Sequence, residues 1–201
     1  GTWDKQDKVI PGAYINLLTN TPLSISVGER GTVLIAQELS VGTDNDIYEI
    51  AASEGAYPEN ASTADKKLAK LALMGAKTVL LYKLPIAHTD EHVDTMLEAL
   101  KTVDFDVLVY PYAKSGTAAS AAQQKIAAWI KAMQDDEGKN VTAVLPNYPA
   151  DTEYIINNPQ GTVLSDGSSL TAYETAAWIG GITAGASITK SNTAQKFEGA
   201  I

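Results

Sequence analysis

An α/β domain is the fold this chain predicts, with a mostly parallel or mixed sheet flanked by helices and with extended N- and C-terminal arms. Two patterns carry that expectation. Short apolar runs bounded by Gly or Pro alternate with longer segments whose apolar residues recur at three- and four-residue spacing. Strands separated by helices of that length favour a sheet of mostly parallel strands joined by crossovers. At each end of the chain a strand-like run has no partner in the neighbouring segment.

The first block covers residues 21–86. Thr32 to Ala36 is a short apolar run after Gly28-Glu-Arg-Gly31 and reads as a buried strand. Asp46 to Ile50 alternates and reads as a second. Ser62 or Thr63 can cap a helix that continues through Met74, carries Leu68, Leu71 and Leu73, and stops at Gly75. Thr78 to Tyr82 is a third strand, ended by Leu84-Pro85.

The second block, residues 87–195, follows the same grammar. Thr89 caps a helix through Thr102, with Val93, Met96, Leu97 and Leu100 on one face. Asp106 to Tyr110 is a strand closed by Pro111. An alanine-rich helix runs from Thr117 to Asp135, and Asn140 to Leu145 is a strand closed by Pro146. A long apolar helix from Leu170 to Ile188 carries Gly180, Gly181, Ala184 and Gly185, small residues where another backbone can approach closely. The link from Leu84 to Thr89 between the blocks is neither a full crossover nor a clean linker.

The arms are residues 1–20 and 196–201. Gly1 to Lys8 is polar and aperiodic apart from Trp3, an indole with no use in a polar lead unless something buries it. Val9, Ile10, Pro11, Gly12, Ala13, Tyr14 and Ile15 then form a strand-like run. Phe197, Glu198, Gly199, Ala200 and Ile201 close the chain in mid-alternation. Unpaired strand N–H and C=O groups demand a partner, which is supplied either by the domain's own sheet or by strand addition from another molecule. Pro11 has no N–H to donate and so belongs at a strand start or edge.

Composition removes several function classes. The formal charge is -9 and the pI about 4.6, which argues against a nucleic-acid partner needing a basic face. No apolar window reaches the roughly 18 residues of a membrane span, so no membrane insertion is expected. No basic-then-apolar leader precedes the fold, so export by that route is not expected. With no cysteine, disulfides, thiolate metal sites and cysteine nucleophiles are all excluded. The sequons at Asn60 and Asn140 carry little weight without a secretory context.

The sharpest enzymatic motif is His88-Thr-Asp-Glu-His92, a literal H-x-x-E-H. On one helix that spacing sets two imidazoles for zinc and a glutamate as general base. Here Thr89 is the natural N-cap, which leaves His88 outside the helix, and Asp90 and Glu91 are ordinary first-turn acids. The pair therefore reads as exposed surface histidines, with no catalytic residue, metal or cofactor expected. A small α/β hydrolase or metal-dependent enzyme using His88, Glu91 and His92 remains an alternative, as does a monomeric ligand-binding domain. No P-loop and no G-x-S-x-G elbow occurs.

The chain resembles the contractile-tail sheath proteins of Gram-positive phages, defective prophages and phage-tail-like bacteriocins. The resemblance rests on Gly1-Thr-Trp-Asp4 with Lys8 to Asn16, on Arg30 to Val33, on Gly75 to Leu84, on Asp104 to Leu108 and on Phe197 to Ile201. It implies a structural, non-enzymatic subunit that polymerises around a tail tube and contracts to drive the tube through a cell envelope. The two blocks would form the sheath body. Trp3, Val9 to Ile15 and Phe197 to Ile201 would exchange strands with neighbouring subunits. The implied partners are other sheath subunits, the tail tube protein, the baseplate and the tail terminator. The implied setting is a virion tail or phage-tail-like particle assembled in the host bacterial cytoplasm. Two departures stand out: Leu84 passes almost directly into the next helix where such subunits usually insert a β-rich domain, and the given sequence stops at Ile201, where such subunits continue into a tube-facing C-terminal domain. Tube-binding residues are accordingly not assigned.

Overall fold

A computed structural model describes residues 31–51, 56–113, 120–149, 152–164 and 167–186. The elements are β1 (Thr32–Glu38), β2 (Ile47–Ile50), α1 (Thr63–Ala72), β3 (Thr78–Leu84), α2 (Asp90–Leu100), β4 (Val107–Val109), α3 (Ala121–Asp135), β5 (Thr142–Pro146), β6 (Ile155–Asn158), β7 (Thr162–Val163), β8 (Ser169–Leu170) and α4 (Ala172–Ala184). One six-stranded sheet runs β2-β3-β1-β4-β5-β6, and β7 with β8 forms a small antiparallel pair. Pairing is parallel from β3 through β6, and β2 alone runs antiparallel, on β3. The sheet is thus mixed, as the sequence predicts.

Alternation along the strands sorts side chains onto two buried faces, the pattern of a parallel sheet covered on both sides. Leu34, Ala36, Tyr82, Leu84, Leu108 and Leu145 face α2 and α3, where Val93, Met96, Leu100, Ile126, Ile130 and Met133 complete one core. Val33, Ile35, Val79, Leu81, Val109 and Val144 face α1 and α4 and pack with Ala69, Leu71, Ala72, Ala176, Ala177 and Ala184. Asp106 ends the loop before β4, and its carboxylate accepts the backbone N–H groups of Gly31 and Thr32 at 2.8 and 3.0 Å. That contact fixes the start of β1 beside the start of β4.

α4 lies where the sequence places small residues, and the approach is closer than any larger residue permits. A Cβ on Gly181 would sit 2.1 Å from the Ala72 carbonyl oxygen of α1, and one on Gly185 would sit 1.9 Å from the Gly75 oxygen. On Gly180 it would meet Val109 Cγ2 at 2.3 Å. These glycines set the depth at which α4 packs on both α1 and the sheet.

Helix starts follow side-chain caps. Ser62, Ser120 and Thr171 each accept the N3 backbone N–H, with Asp65, Gln123 and Glu174 returning the bond in a capping box. The alanine-rich helix therefore begins at Ala121 rather than Thr117, because Ser120 caps it. Residues 117–119 lie outside the described residues. α4 begins at Ala172, since Leu170 belongs to β8. β6, β7 and β8 have no counterpart in the sequence expectation: Ile155-Ile-Asn-Asn158 is too short and too polar to register as a strand.

Asp65 also reaches past its own helix. Its carboxylate accepts the N–H of Ser40 at 2.8 Å and the hydroxyls of Ser40 and Ser62 at 2.5 and 2.7 Å. Burial alone would raise its pKa, but these hydrogen bonds outweigh burial and hold it at about 2. A folded-state pKa below the unfolded value stabilises above pH ~4 and is lost as pH falls towards 2, a contribution of about 2 kcal/mol. Asp65→Asn is expected to lower the unfolding free energy near neutral pH, with the gap to the parent protein closing between pH ~4 and ~2 in denaturant titrations.

For α4, replacing glycine inside a helix by alanine gains up to about 1 kcal/mol from propensity. The overlap at Gly181 is with backbone that cannot rotate away, so Gly181→Ala is expected to destabilise by about 2 kcal/mol or more on balance. Gly180→Ala, which meets a side chain, should cost less. Thermal unfolding of the two variants ranks them.

Candidate functional site

β3 lies on one side of β1 and β4 on the other, and the connections that reach them run on opposite faces of the sheet, through α1 and through α2. Such a reversal opens a crevice beyond the carboxyl ends of the two strands that part there. In this fold those ends are Gln37-Glu38 of β1 and the residues after β4. A groove of about 450 Å³ occupies the position, lined by Gln37, Glu38, Pro111, Tyr112 and Ala113 together with Leu68 of α1 and Tyr173 of α4.

Behind the groove stands a network that the sequence did not suggest. Ala87 holds a left-handed backbone at φ 59°, unusual for a residue with a Cβ, and the turn delivers His88 beneath the strand ends. Glu38 Oε1 accepts both the His88 backbone N–H at 3.0 Å and Nδ1–H at 2.6 Å. On the other side of the ring, Nε2 lies within hydrogen-bond distance of the Tyr110 hydroxyl, 2.7 Å away. Tyr112 accepts the Glu38 backbone N–H at 2.6 Å and packs edge-on against the imidazole at 4.7 Å between centroids. Burial pushes the Tyr112 hydroxyl up to about 12, aided by the Glu38 charge. Burial also raises the pKa of the Tyr110 hydroxyl, with Tyr112, Asp90 and Glu38 adding to the effect.

This corrects the expectation of two exposed surface histidines. The His88 side chain is only 9% exposed, and both of its ring nitrogens are engaged within the protein. His92 instead closes the start of α2, where its Nδ1 accepts the Thr89 backbone N–H at 3.0 Å. The two rings are committed to different partners and do not converge with Glu91. Among the described residues no group of three or more His, Cys, Asp or Glu side chains could hold a metal ion. The His88, Glu91 and His92 set that the hydrolase or metal-enzyme alternative relies on is therefore not assembled.

The predicted strand-exchange residues, Trp3, Val9 to Ile15 and Phe197 to Ile201, lie outside the described residues. What the described residues do provide is two lateral sheet edges. The outer sides of β2 and β6 pair with no described strand. Just before β2, the Asp46 carbonyl accepts the Lys83 N–H of β3 at 2.9 Å, which marks that pair as hydrogen-bonded. Antiparallel alternation then turns the backbone groups of Ile47 and Glu49 outward. Ile47, one of the exposed large apolar side chains, lies on this edge.

His88→Phe removes the partner of a partly buried carboxylate and of a buried hydroxyl while keeping a ring in place. A loss of about 2–4 kcal/mol in unfolding free energy is expected by denaturant titration. Metal analysis of the purified parent protein is expected to find zinc below one equivalent.

The described fold has solved counterparts. A sheath tail protein from Desulfitobacterium hafniense superposes with a TM-score of 0.69 at 24% identity, covering 90% of this chain and 64% of that one. The phage-like element PBSX protein XkdK of Bacillus subtilis is 37% identical over 105 residues, 52% of this chain and 22% of its own length. The tail sheath protein of Clostridium phage phiCD119 is 35% identical over 132 residues, 63% of this chain and 35% of its own length. The chain thus spans about a third or less of these curated relatives. The phage tail sheath protein central domain matches residues 87–201, more than half of the sequence. The chain belongs to the phage tail sheath protein family.

Proposed function

We propose that the protein is a structural subunit of a contractile tail sheath, which polymerises around a tail tube and shortens to drive that tube through a cell envelope. The observation that carries the reading is a sheet whose inner strands are paired and covered on both faces, while its outer strands β2 and β6 pair on one side only among the described residues. Two buried cores and a fully paired set of inner strands make a rigid unit, while β2 and β6 present edges that a strand from another subunit can extend. The terminal runs supply such strands: Trp3 and Val9 to Ile15 at one end, Phe197 to Ile201 at the other. The blocks 21–86 and 87–195 then act as one body, carried by arms 1–20 and 196–201. Each added main-chain hydrogen bond contributes about 0.5–1.5 kcal/mol net, and repetition around a ring makes a strong mesh from weak links.

In this reading the protein is not an enzyme. The neighbouring sheath subunits are the principal partners, with the tail tube protein, baseplate and tail terminator beyond them. The particle is a virion tail or a phage-tail-like bacteriocin, assembled in the cytoplasm of a bacterial host. The acidic surface, net charge -9, keeps free subunits apart until specific edges engage.

Deleting residues 1–15 from the complete gene product is expected to abolish ordered tubes in electron micrographs while leaving a folded body by circular dichroism. Glu49→Pro removes an outward N–H of β2 without touching the β2–β3 bonds, and is expected to weaken assembly if that edge receives an arm. An unchanged helical polymer after the deletion contradicts strand exchange.

A further inference from the structure

We propose that His92 is a pH-sensitive cap: protonation of its imidazole opens the start of α2, while the other three described helices stay closed. All four begin with the same device, in which a side chain three residues on accepts the backbone N–H of the N-cap residue. Asp65 accepts from Ser62 at 2.9 Å, Gln123 from Ser120 at 3.0 Å and Glu174 from Thr171 at 2.8 Å. At α2 the acceptor is Nδ1 of His92, 3.0 Å from the Thr89 nitrogen. A carboxylate or an amide oxygen accepts throughout the range from about pH 5 to 8, whereas an imidazole gains its second proton there.

The partner decides the tautomer. A backbone N–H can only donate, so Nδ1 carries no proton in this arrangement and the neutral ring holds its proton at Nε2. Once Nδ1 is protonated, two donors face each other. The ring then turns to the Thr89 hydroxyl, 3.2 Å away, and the Thr89 amide loses its acceptor. Among the described residues the ring's polar contacts are both to Thr89.

The charged and titratable groups about this helix start come from several elements. Asp90 and Glu91 belong to its own first turn, and Lys125 of α3 donates to the Asp90 carbonyl at 3.3 Å and pairs with Asp94. Tyr82 of β3 is bonded to Asn45, and Glu38, Tyr110 and Tyr112 surround the adjacent His88. The first-turn acids favour a cationic ring and Lys125 opposes it, so these groups set the pH of the change. None of them turns a protonated Nδ1 into an acceptor. His88 responds differently, because its Nδ1 faces the Glu38 carboxylate, an acceptor that a protonated ring keeps.

NMR of the purified chain between about pH 8 and 5 provides the test. Long-range proton–nitrogen spectra of the His92 ring should show Nε2 protonated and Nδ1 bare at the high end. As the ring titrates, the Thr89 amide should shift along the same curve. Its protection against exchange, corrected for the intrinsic rate, should fall about fivefold, with the Ser120 and Thr171 amides unmoved. His92→Gln supplies an acceptor that does not titrate and should hold the high-pH protection throughout, while His92→Ala should lose it at every pH. A His92→Gln variant that keeps the parent's pH dependence overturns the proposal by placing the titration elsewhere. So does a neutral ring with its proton on Nδ1, or a Thr89 amide that stays still while His92 titrates.

Discussion

Hydrogen-bond satisfaction in the sheet governs everything else in this molecule. A parallel strand has to be covered on both faces and paired on both sides, and β1, β3, β4 and β5 meet both demands through two helical layers and their neighbours. What remains unsatisfied is pushed to two kinds of place. One is the lateral edges, β2 and β6, where backbone groups face outward. The other is the carboxyl ends of the strands, where the chain changes direction and a crevice opens. The strand exchange proposed above would act at those lateral edges, where the sheet runs out of described partners.

Close backbone packing adds to the two apolar cores in holding the body together. α4 meets α1 and the sheet through Gly180, Gly181 and Gly185, at separations that leave no room for a Cβ. Asp65 ties the start of α1 to the chain leaving β1, and Asp106 ties the start of β1 to β4. These contacts join elements distant in sequence.

Much of this architecture was legible in the chain. Apolar periodicity located β1 to β5 and all four helices, because each is long enough or apolar enough for its period to show. The glycines of α4 announced a close approach before any partner was known. The family resemblance was carried by segments such as Gly75 to Leu84, most of which becomes β3, paired between β2 and β1. β6 escaped notice because four residues ending in Asn157-Asn158 carry too little pattern, and β7 and β8 are shorter still. His88 was misjudged because the residues that follow it in sequence are polar, whereas its partners, Glu38 and Tyr110, are distant along the chain and arrive only through strand order. The groove was illegible for the same reason: a switch point is a property of topology, and no short motif encodes it.

Amide hydrogen exchange measured residue by residue on free subunits and on assembled polymer tests strand completion most directly. The account requires the outward amides of Ile47 and Glu49, or those along the outer side of β6, to exchange freely in the subunit and to become protected on assembly, while the amides of β1 and β4 stay equally slow in both. Unchanged exchange at both edges in a well-ordered polymer would mean that subunits join through side chains alone, and the central claim would be wrong.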